Sequence, residues 1–476
     1  MDARGDSAAT LADIAFTLPG AAPSWDYCAA LLHSLGAATH AGAQRRARDT
    51  ALQVAADWAQ SGLIPLTGPP DGPPLQGPGS IPSCARGALD ALRLLAGAAL
   101  LPGCDGATVL GERAALLNLE RRGTISANGS CRLLRTRDGW LALNLAREDD
   151  WQLLPAWLAT TARRQPHTAP GDWAAIEQRI ANELRQPLVE RGRLLGLPLA
   201  AAGTAPAAST WFRLHCAGPR APKRSMPRAQ PLVIDLSALW AGPLCSHLLL
   251  AAGARVIKVE CRSRLDGARR GSTGFFDLLN AGKESVLLDF ATTSGRSQLA
   301  TLLARADIVI EGSRPRALRQ LGVDAEALVA ARPGLVWVAI SGYGRREPGA
   351  DWTAFGDDAA VAAGVAAATS DPPAFCGDAL ADPLTGLHAA VAALAFWRAG
   401  RGGLLDLSLR DTTAYCLQFQ RDVPRGTVTG EPGAWQLTSG GRRFAVRSPV
   451  ARRSRGPAPP PGTHTARIMR EFQLPC

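Results

Sequence analysis

From residue 231 to residue 415, short runs of branched apolar residues take turns with amphipathic stretches of helical period, and this alternation constrains the chain most. Leu232-Val-Ile-Asp-Leu236 reads as a buried strand, residues 243–252 as an apolar helix closed by Gly253, and Arg255-Val-Ile-Lys-Val259 as the next strand. Ser285–Phe290, a helix over 293–305, Asp307–Glu311 and Leu335–Ile340 continue the pattern. Repeated strand–helix–strand units give a parallel sheet covered on both faces. The expected fold class is α/β, a Rossmann-like parallel sheet with helices on both faces, spanning residues 231–420. The first strand-to-helix turn reads Ser-Ala-Leu-Trp-Ala-Gly-Pro over 237–243 and lacks the G-x-G-x-x-G cradle, which argues against a dinucleotide ligand.

The flanks read differently. Cys131–Thr136, a turn at Asp138-Gly139 and Trp140–Leu145 predict a hairpin, followed by helical patterns at 149–161 and 173–195. These make a smaller α+β domain at about residues 100–200, within an N-terminal region of 1–200. Residues 201–230, rich in Ala, Pro and Arg, read as a linker, and 421–476 as a C-terminal tail with a second Pro-rich stretch at 454–463. Residues 61–87 also echo residues 363–386. In both, a Pro-Pro pair precedes one position by the same distance and a Gly follows four residues later; that position is Ser83 in the first copy and Asp382 in the second.

Composition narrows the classes. A chain of 476 residues, 46% hydrophobic and 20% charged, can bury a large core in two or three domains. The start has no basic stretch followed by an apolar one, and apolar runs such as Leu92–Leu101 fall short of a membrane span. The ten cysteines are scattered without a C-x-x-C pair, against a zinc site or a disulfide framework. The expectation is a cytoplasmic protein with no metal and no membrane partner. The net charge of +11 comes almost wholly from Arg, yet no nucleic-acid recognition motif accompanies it and aromatics are only 5%. No nucleic acid is expected; a polyanionic small molecule such as a nucleotide-tailed cofactor suits the charge.

Asp382 is the residue of chemical interest. It precedes Pro383, and apolar residues recur behind it at Leu384, Leu387, Val391, Leu394 and Trp397. Asp before Pro at this place predicts a helix N-cap. Such a position also favours an ionised carboxylate, so a capping and a nucleophilic role are compatible.

The chain resembles the family III CoA-transferases, the group of formyl-CoA transferase, carnitine CoA-transferase and α-methylacyl-CoA racemase. The matching stretches stand in family order: Val233–Ser237 with Ala241-Gly-Pro243, Gly253–Glu260, Asn280–Asp289, Ala306–Glu311 with Arg314-Pro315 and Leu321-Gly322, Ser341-Gly-Tyr-Gly344, and Ala381–Gly386 leading to Gly400–Gly403. The N-terminal region resembles the same family's second half, with Ser83 in the catalytic segment. The order is thus a degenerate second half followed by an intact first half, and residues 100–200 are expected to supply the small domain that the C-terminal half lacks.

The resemblance implies that Asp382 attacks an acyl-CoA thioester, passing through an acyl–aspartyl anhydride and an aspartyl-CoA thioester before a carboxylic acid takes the CoA. It implies coenzyme A as co-substrate, acyl-CoA and a carboxylic acid as partners, and a homodimer or a pseudo-dimer within one chain. Lys283, Arg262 and Arg319 are its candidates for CoA phosphates, although Gln320 stands where the family often has Arg. Ala241 and Trp240 match the loop lining the acyl pocket, and Trp240 with Phe375 favours a larger acyl group. The alternatives are a racemase or isomerase of the same family and a non-catalytic CoA-binding relative. Against the racemase, its Gly-His-Asp segment here reads Gly356-Asp357-Asp358 and has lost the basic His. His388 is expected to pack, and the family's Gly-rich lid has no counterpart.

Overall fold

The computed structural model describes residues 10–473 except 13, 21, 41–46, 98–101, 159–170, 204, 206–207 and 223–229. Ala15–Thr17 (β1) and Ala38–His40 (β2) pair in parallel and are joined through helix Pro23–Ser34. Helices Ala47–Ser61 and Ile81–Ala96 follow. Cys131–Thr136 (β3), Gly139–Asn144 (β4) and Leu199–Ala202 (β5) then form an antiparallel sheet. The hairpin turns at Asp138-Gly139 as its sequence predicts, with the glycine at φ 154°. The helical pattern over 173–195 is two helices, Trp173–Ile180 and Arg185–Leu195; the end of the 149–161 pattern lies outside the described residues, and its helix runs Glu148–Trp157.

The large sheet has seven strands: Arg213–Ala217 (β6), Leu232–Asp235 (β7), Arg255–Cys261 (β8), Glu284–Leu288 (β9), Ile308–Glu311 (β10), Val336–Ser341 (β11) and Gly403–Ser408 (β12), in the spatial order β6-β12-β11-β10-β7-β8-β9. From β7 to β12 all pairings are parallel. Numbered from β7, the order is 3-2-1-4-5-6, the doubly wound arrangement whose ligand crevice opens beyond the carboxyl ends of the first and fourth strands, here β7 and β10. Hydrophobic layers fill both faces, one against helices Ala241–Ala251 and Ala381–Arg398, the other against helix Thr293–Arg305. The α/β class expected from the alternation is the observed one.

Two segments depart from their sequence reading. The 201–230 stretch taken as linker contains β6, an antiparallel edge strand on β12. The stretch taken as a C-terminal tail holds a three-stranded sheet, Thr427–Thr429 (β13), Gln436–Ser439 (β14) and Arg442–Ala445 (β15), and helix Thr465–Phe472. Beyond β15, the Arg447 N–H donates to Ala59 O at 2.8 Å, and the final helix docks at β9, where Leu287 N–H donates to Thr465 Oγ1 at 3.0 Å. Short edge strands and Arg-rich strands bury little apolar surface, so the composition hides them.

The N-terminal half repeats the C-terminal one in miniature. In each, a parallel strand–helix–strand unit presents its helix to a second helix: Pro23–Ser34 against Ile81–Ala96, and Ala241–Ala251 against Ala381–Arg398. The echoed glycines sit at these crossings. A Cβ on Gly87 would lie 2.4 Å from Ser24 O, and one on Gly386 would lie 2.7 Å from Ala241 O. The second helices of the two units also pack against each other. His388, wholly buried there, accepts or donates across the halves to the Tyr27 hydroxyl at 2.7 Å. No helix among the described residues is long and apolar enough to cross a membrane.

Candidate active site

Asp382 stands at the second position of helix Ala381–Arg398; Leu380 occupies the cap and makes no side-chain capping bond. The N-cap reading is therefore corrected by two residues of register: Pro383 is at the third helical position, whose N–H needs no partner within the helix. The chain enters through Ala379 at φ 43°, a left-handed conformation that costs a non-glycine residue about 1 kcal/mol. Two bonds hold it there. Ala379 N–H donates to Asp357 Oδ1 at 2.8 Å, and Ala379 O accepts from Asp382 N–H at 2.9 Å. The bend turns Asp378 and Asp382 toward one polar cluster.

The cluster gathers four aspartates with groups from the other half of the chain. Arg113 grips Asp378 with two parallel bonds, Nε to Oδ2 at 2.7 Å and Nη2 to Oδ1 at 2.6 Å. Asn128 Nδ2 donates to Asp357 Oδ2 at 2.8 Å and to Asp378 Oδ1 at 3.3 Å. Asn144, on β4, donates to Asp358 Oδ1 at 3.0 Å, and Phe355 N–H donates to the same oxygen at 2.9 Å. Gly356 N–H donates to the Asp382 carboxyl. The contact is so close that a Cβ on Gly356 would fall 2.4 Å from Asp382 Oδ2.

Burial dominates the electrostatics. It pushes the Asp382 carboxyl up to about 7, with the charges of Asp357 and Asp378 adding to the rise and Arg113 and the Gly356 N–H opposing it. Burial and the neighbouring Asp378 charge raise Asp357 to about 6, and burial raises Asp358 to about 7. Near neutral pH the cluster thus carries fewer charges than carboxyls, which is how four acids share a site with one arginine. Asp357, in the segment where a racemase has its His, places a carboxyl beside Asp382.

Of the residues singled out from sequence, Trp240 and Ala241 reach this site. Ala241 O faces Gly386, one turn along from Asp382. Trp240 lies under the Arg113 guanidinium at 4.9 Å and meets Phe275 edge to face. Lys283 does not present itself to a ligand: its ammonium is buried on Asp235 Oδ2 (3.1 Å), Pro243 O (3.0 Å), Ser246 Oγ (2.8 Å) and Asn280 Oδ1 (2.9 Å). An ammonium has three protons, and these acceptors take them. Lys283 is a structural clasp at the foot of the Ala241–Ala251 helix, correcting its reading as a phosphate contact. Arg262 is exposed after β8, and Arg319 is exposed with its guanidinium 3.2 Å from Glu326. Phe375 packs under the small sheet with Leu133 and Ala200, away from a pocket role.

Sequence reasoning missed Arg113, Asn128 and Asn144, whose partners are more than 200 residues away. It also missed a basic cluster at the crevice. Arg314, at the carboxyl end of β10, is pushed below the usual arginine range by burial and by the positive charges of Arg316, Arg147 and Arg264, with only Asp351 opposing. Arg147 lies over the Phe355 ring at 5.9 Å, adjacent to Gly356 and so to Asp382. The Arg314-Pro315 pair after a strand was the available signal.

A buried carboxyl and an arginine cluster thus lie by the carboxyl-end crevice of a doubly wound sheet, where α/β folds hold ligands. Residues 229–434 match the model of CoA-transferase family III. Over 212 residues it is 31% identical to a succinyl-CoA–D-citramalate CoA-transferase of Chloroflexus aurantiacus, covering 42% of this chain and 52% of that protein. A succinate–glutarate CoA-transferase of Agrobacterium fabrum is 30% identical over 42% of this chain and 55% of its own length. A formyl-CoA:oxalate CoA-transferase of Escherichia coli is 31% identical over 40% and 50%, respectively. The chain spans about half the length of the curated relatives it matches.

Proposed function

We propose that this chain is a CoA-transferase that moves CoA from an acyl-CoA to a free carboxylic acid, with Asp382 as the nucleophile. The observation that carries the reading is the Asp382 carboxyl itself, held by the Gly356 N–H at a helix start inside a cluster completed by Arg113 and Asn128. Ionised Asp382 attacks the thioester carbonyl, the C–S bond breaks, and CoA leaves as thiolate with an acyl–aspartyl anhydride left behind. The thiolate then attacks the aspartyl carbonyl, releasing the first acid and forming aspartyl-CoA thioester. The acceptor carboxylate attacks that carbonyl in turn, expelling CoA thiolate and leaving an acceptor–aspartyl anhydride, and the thiolate attacks its acceptor carbonyl to give the new acyl-CoA and free the Asp382 carboxylate. Each step exchanges one acyl bond for another, so no oxidant or hydrolysis is needed.

The helix start lowers the cost of the negative charge on Asp382, whereas burial raises its pKa and with it the nucleophilicity of the ionised form. Arg314, Arg264 and Arg147 supply cationic contacts for the phosphates of CoA at the crevice, with Arg262 and Arg319 at its rim. Trp240 and Ala241 border the acyl group. Because Arg113, Asn128 and Asn144 come from the N-terminal half, we place the complete site within one chain. The test is exchange of labelled free CoA into unlabelled acyl-CoAs without any acceptor acid. Label entering acyl-CoA with the wild type and not with Asp382→Ala is the expected result. No exchange over a broad acyl-CoA panel, with acyl-CoA still bound, would sink the reading.

A further inference from the structure

Away from Asp382, a cavity of about 530 Å³ opens between the small sheet and the carboxyl ends of β11 and β12. Its walls carry Arg185, Arg193, Arg213, Arg346 and Arg410 against Glu347, Asp406 and Asp411. The acids do not balance the bases. Asp411 alone serves both Arg410 and Arg213, the latter at 3.5 Å, and Asp406 turns one oxygen to the Arg345 N–H at 2.9 Å while burial holds its pKa above the usual range. Arg346 is exposed at the rim of the cavity. Arg185 Nη1 donates to Ala202 O, and among the described residues the buried Nε atoms of Arg185 and Arg193 have no partner. Arg193 is fixed by stacking, 3.9 Å over the Trp352 ring and 4.8 Å from that of Tyr343.

We infer that this cavity is a binding site for a small phosphorylated anion of mononucleotide size. Guanidinium groups come from four separate elements: the Arg185–Leu195 helix, β6, the loop after β11 and the Leu409–Gln418 helix. A planar carboxylate satisfies one guanidinium fork, whereas a tetrahedral phosphate accepts donors from several directions and carries more charge. The volume falls within the range of small-molecule sites. The lining does not include Asp382, so this assignment goes beyond the transfer reaction and does not rest on it. The ligand is a free phosphate compound, because the phosphates of CoA are assigned to Arg314, Arg264 and Arg147 at the crevice, none of which lines this cavity.

Calorimetric titration of the full chain with adenosine 3′,5′-bisphosphate, and separately with pyrophosphate, tests the site at fixed ionic strength and without turnover. A saturable site is expected that saturating free CoA does not remove, weakened about tenfold or more in Arg193→Gln and in Arg346→Gln, as loss of a charge-assisted contact implies. It should persist in Asp382→Ala. Arg346→Gln guards against misfolding, since that side chain is exposed. Binding that free CoA leaves in place upholds the cavity, whereas binding that free CoA displaces belongs to the crevice and would overturn it. Absence of binding, binding indifferent to both variants, or tighter binding of citrate than of either phosphate ligand would overturn it.

Discussion

Asp382 owes its character to opposing forces on one carboxyl. The Gly356 N–H and Arg113 favour its charge, while burial and Asp357 resist it, and the balance rests at about 7. In the proposed transfer the ionised form is the nucleophile, so the exchange rate is expected to rise as pH passes upward through about 7 and to level above it. Asp357→Asn removes a negative neighbour and should move that midpoint down, which a pH–rate profile of both proteins would reveal. An unchanged or raised midpoint would contradict this electrostatic account. Asp358 makes the companion case for stability. Its folded pKa of about 7 lies above the unfolded value, so the native state holds the proton more tightly. Its cost to stability is absent below about pH 4 and grows as pH rises toward about 7. Asp358→Asn is therefore expected to be neutral at low pH and stabilising by about 4 kcal/mol at pH 8, read from denaturant melts at both.

At the scale of elements, the site depends on two helices meeting where one has no side chain. Gly386 lets the Ala381–Arg398 helix approach Ala241 O and Leu244, whose Cβ would lie 3.0 Å from an added methyl. Gly386→Ala is expected to cost about 1–3 kcal/mol by overpacking and to lower exchange activity, because the same helix carries Asp382. Equal melting temperatures for variant and wild type would refute the argument. This element was legible from its apolar period, and so was the β3–β4 hairpin from its Asp138-Gly139 turn, because both signals are local. β6 was not legible: Arg213-Leu-His-Cys-Ala217 holds its place through pairing with β12, not through its own composition. Lys283 misled for a related reason. Its loop position marks a cation near the sheet edge, but only the fold reveals that Asp235, distant in sequence, claims it.

At the scale of the molecule, the N-terminal half reaches into the C-terminal half through Arg113, Asn128 and Asn144. Specific activity should then stay constant on dilution from micromolar to nanomolar protein, measured alongside the sedimentation behaviour. A fall in activity that tracks dissociation would instead assign part of the site to a second copy. Sequence pattern alone could not reveal these three residues, since each acts across a long separation and none lies in a motif with its partner.

The miniature half also has a kinetic meaning. Where the intact copy has Asp382, the reduced copy has Ser83, which donates its hydroxyl to Asp57 in a closed network with Arg86 and Asp105. A two-site transferase can alternate between its halves, with an acylated centre on one side altering its twin. Under the proposed transfer, the Ser83 side offers no second carboxylate. Saturation with donor should follow a simple hyperbola, and a reagent that traps the acyl-enzyme should titrate one equivalent per polypeptide.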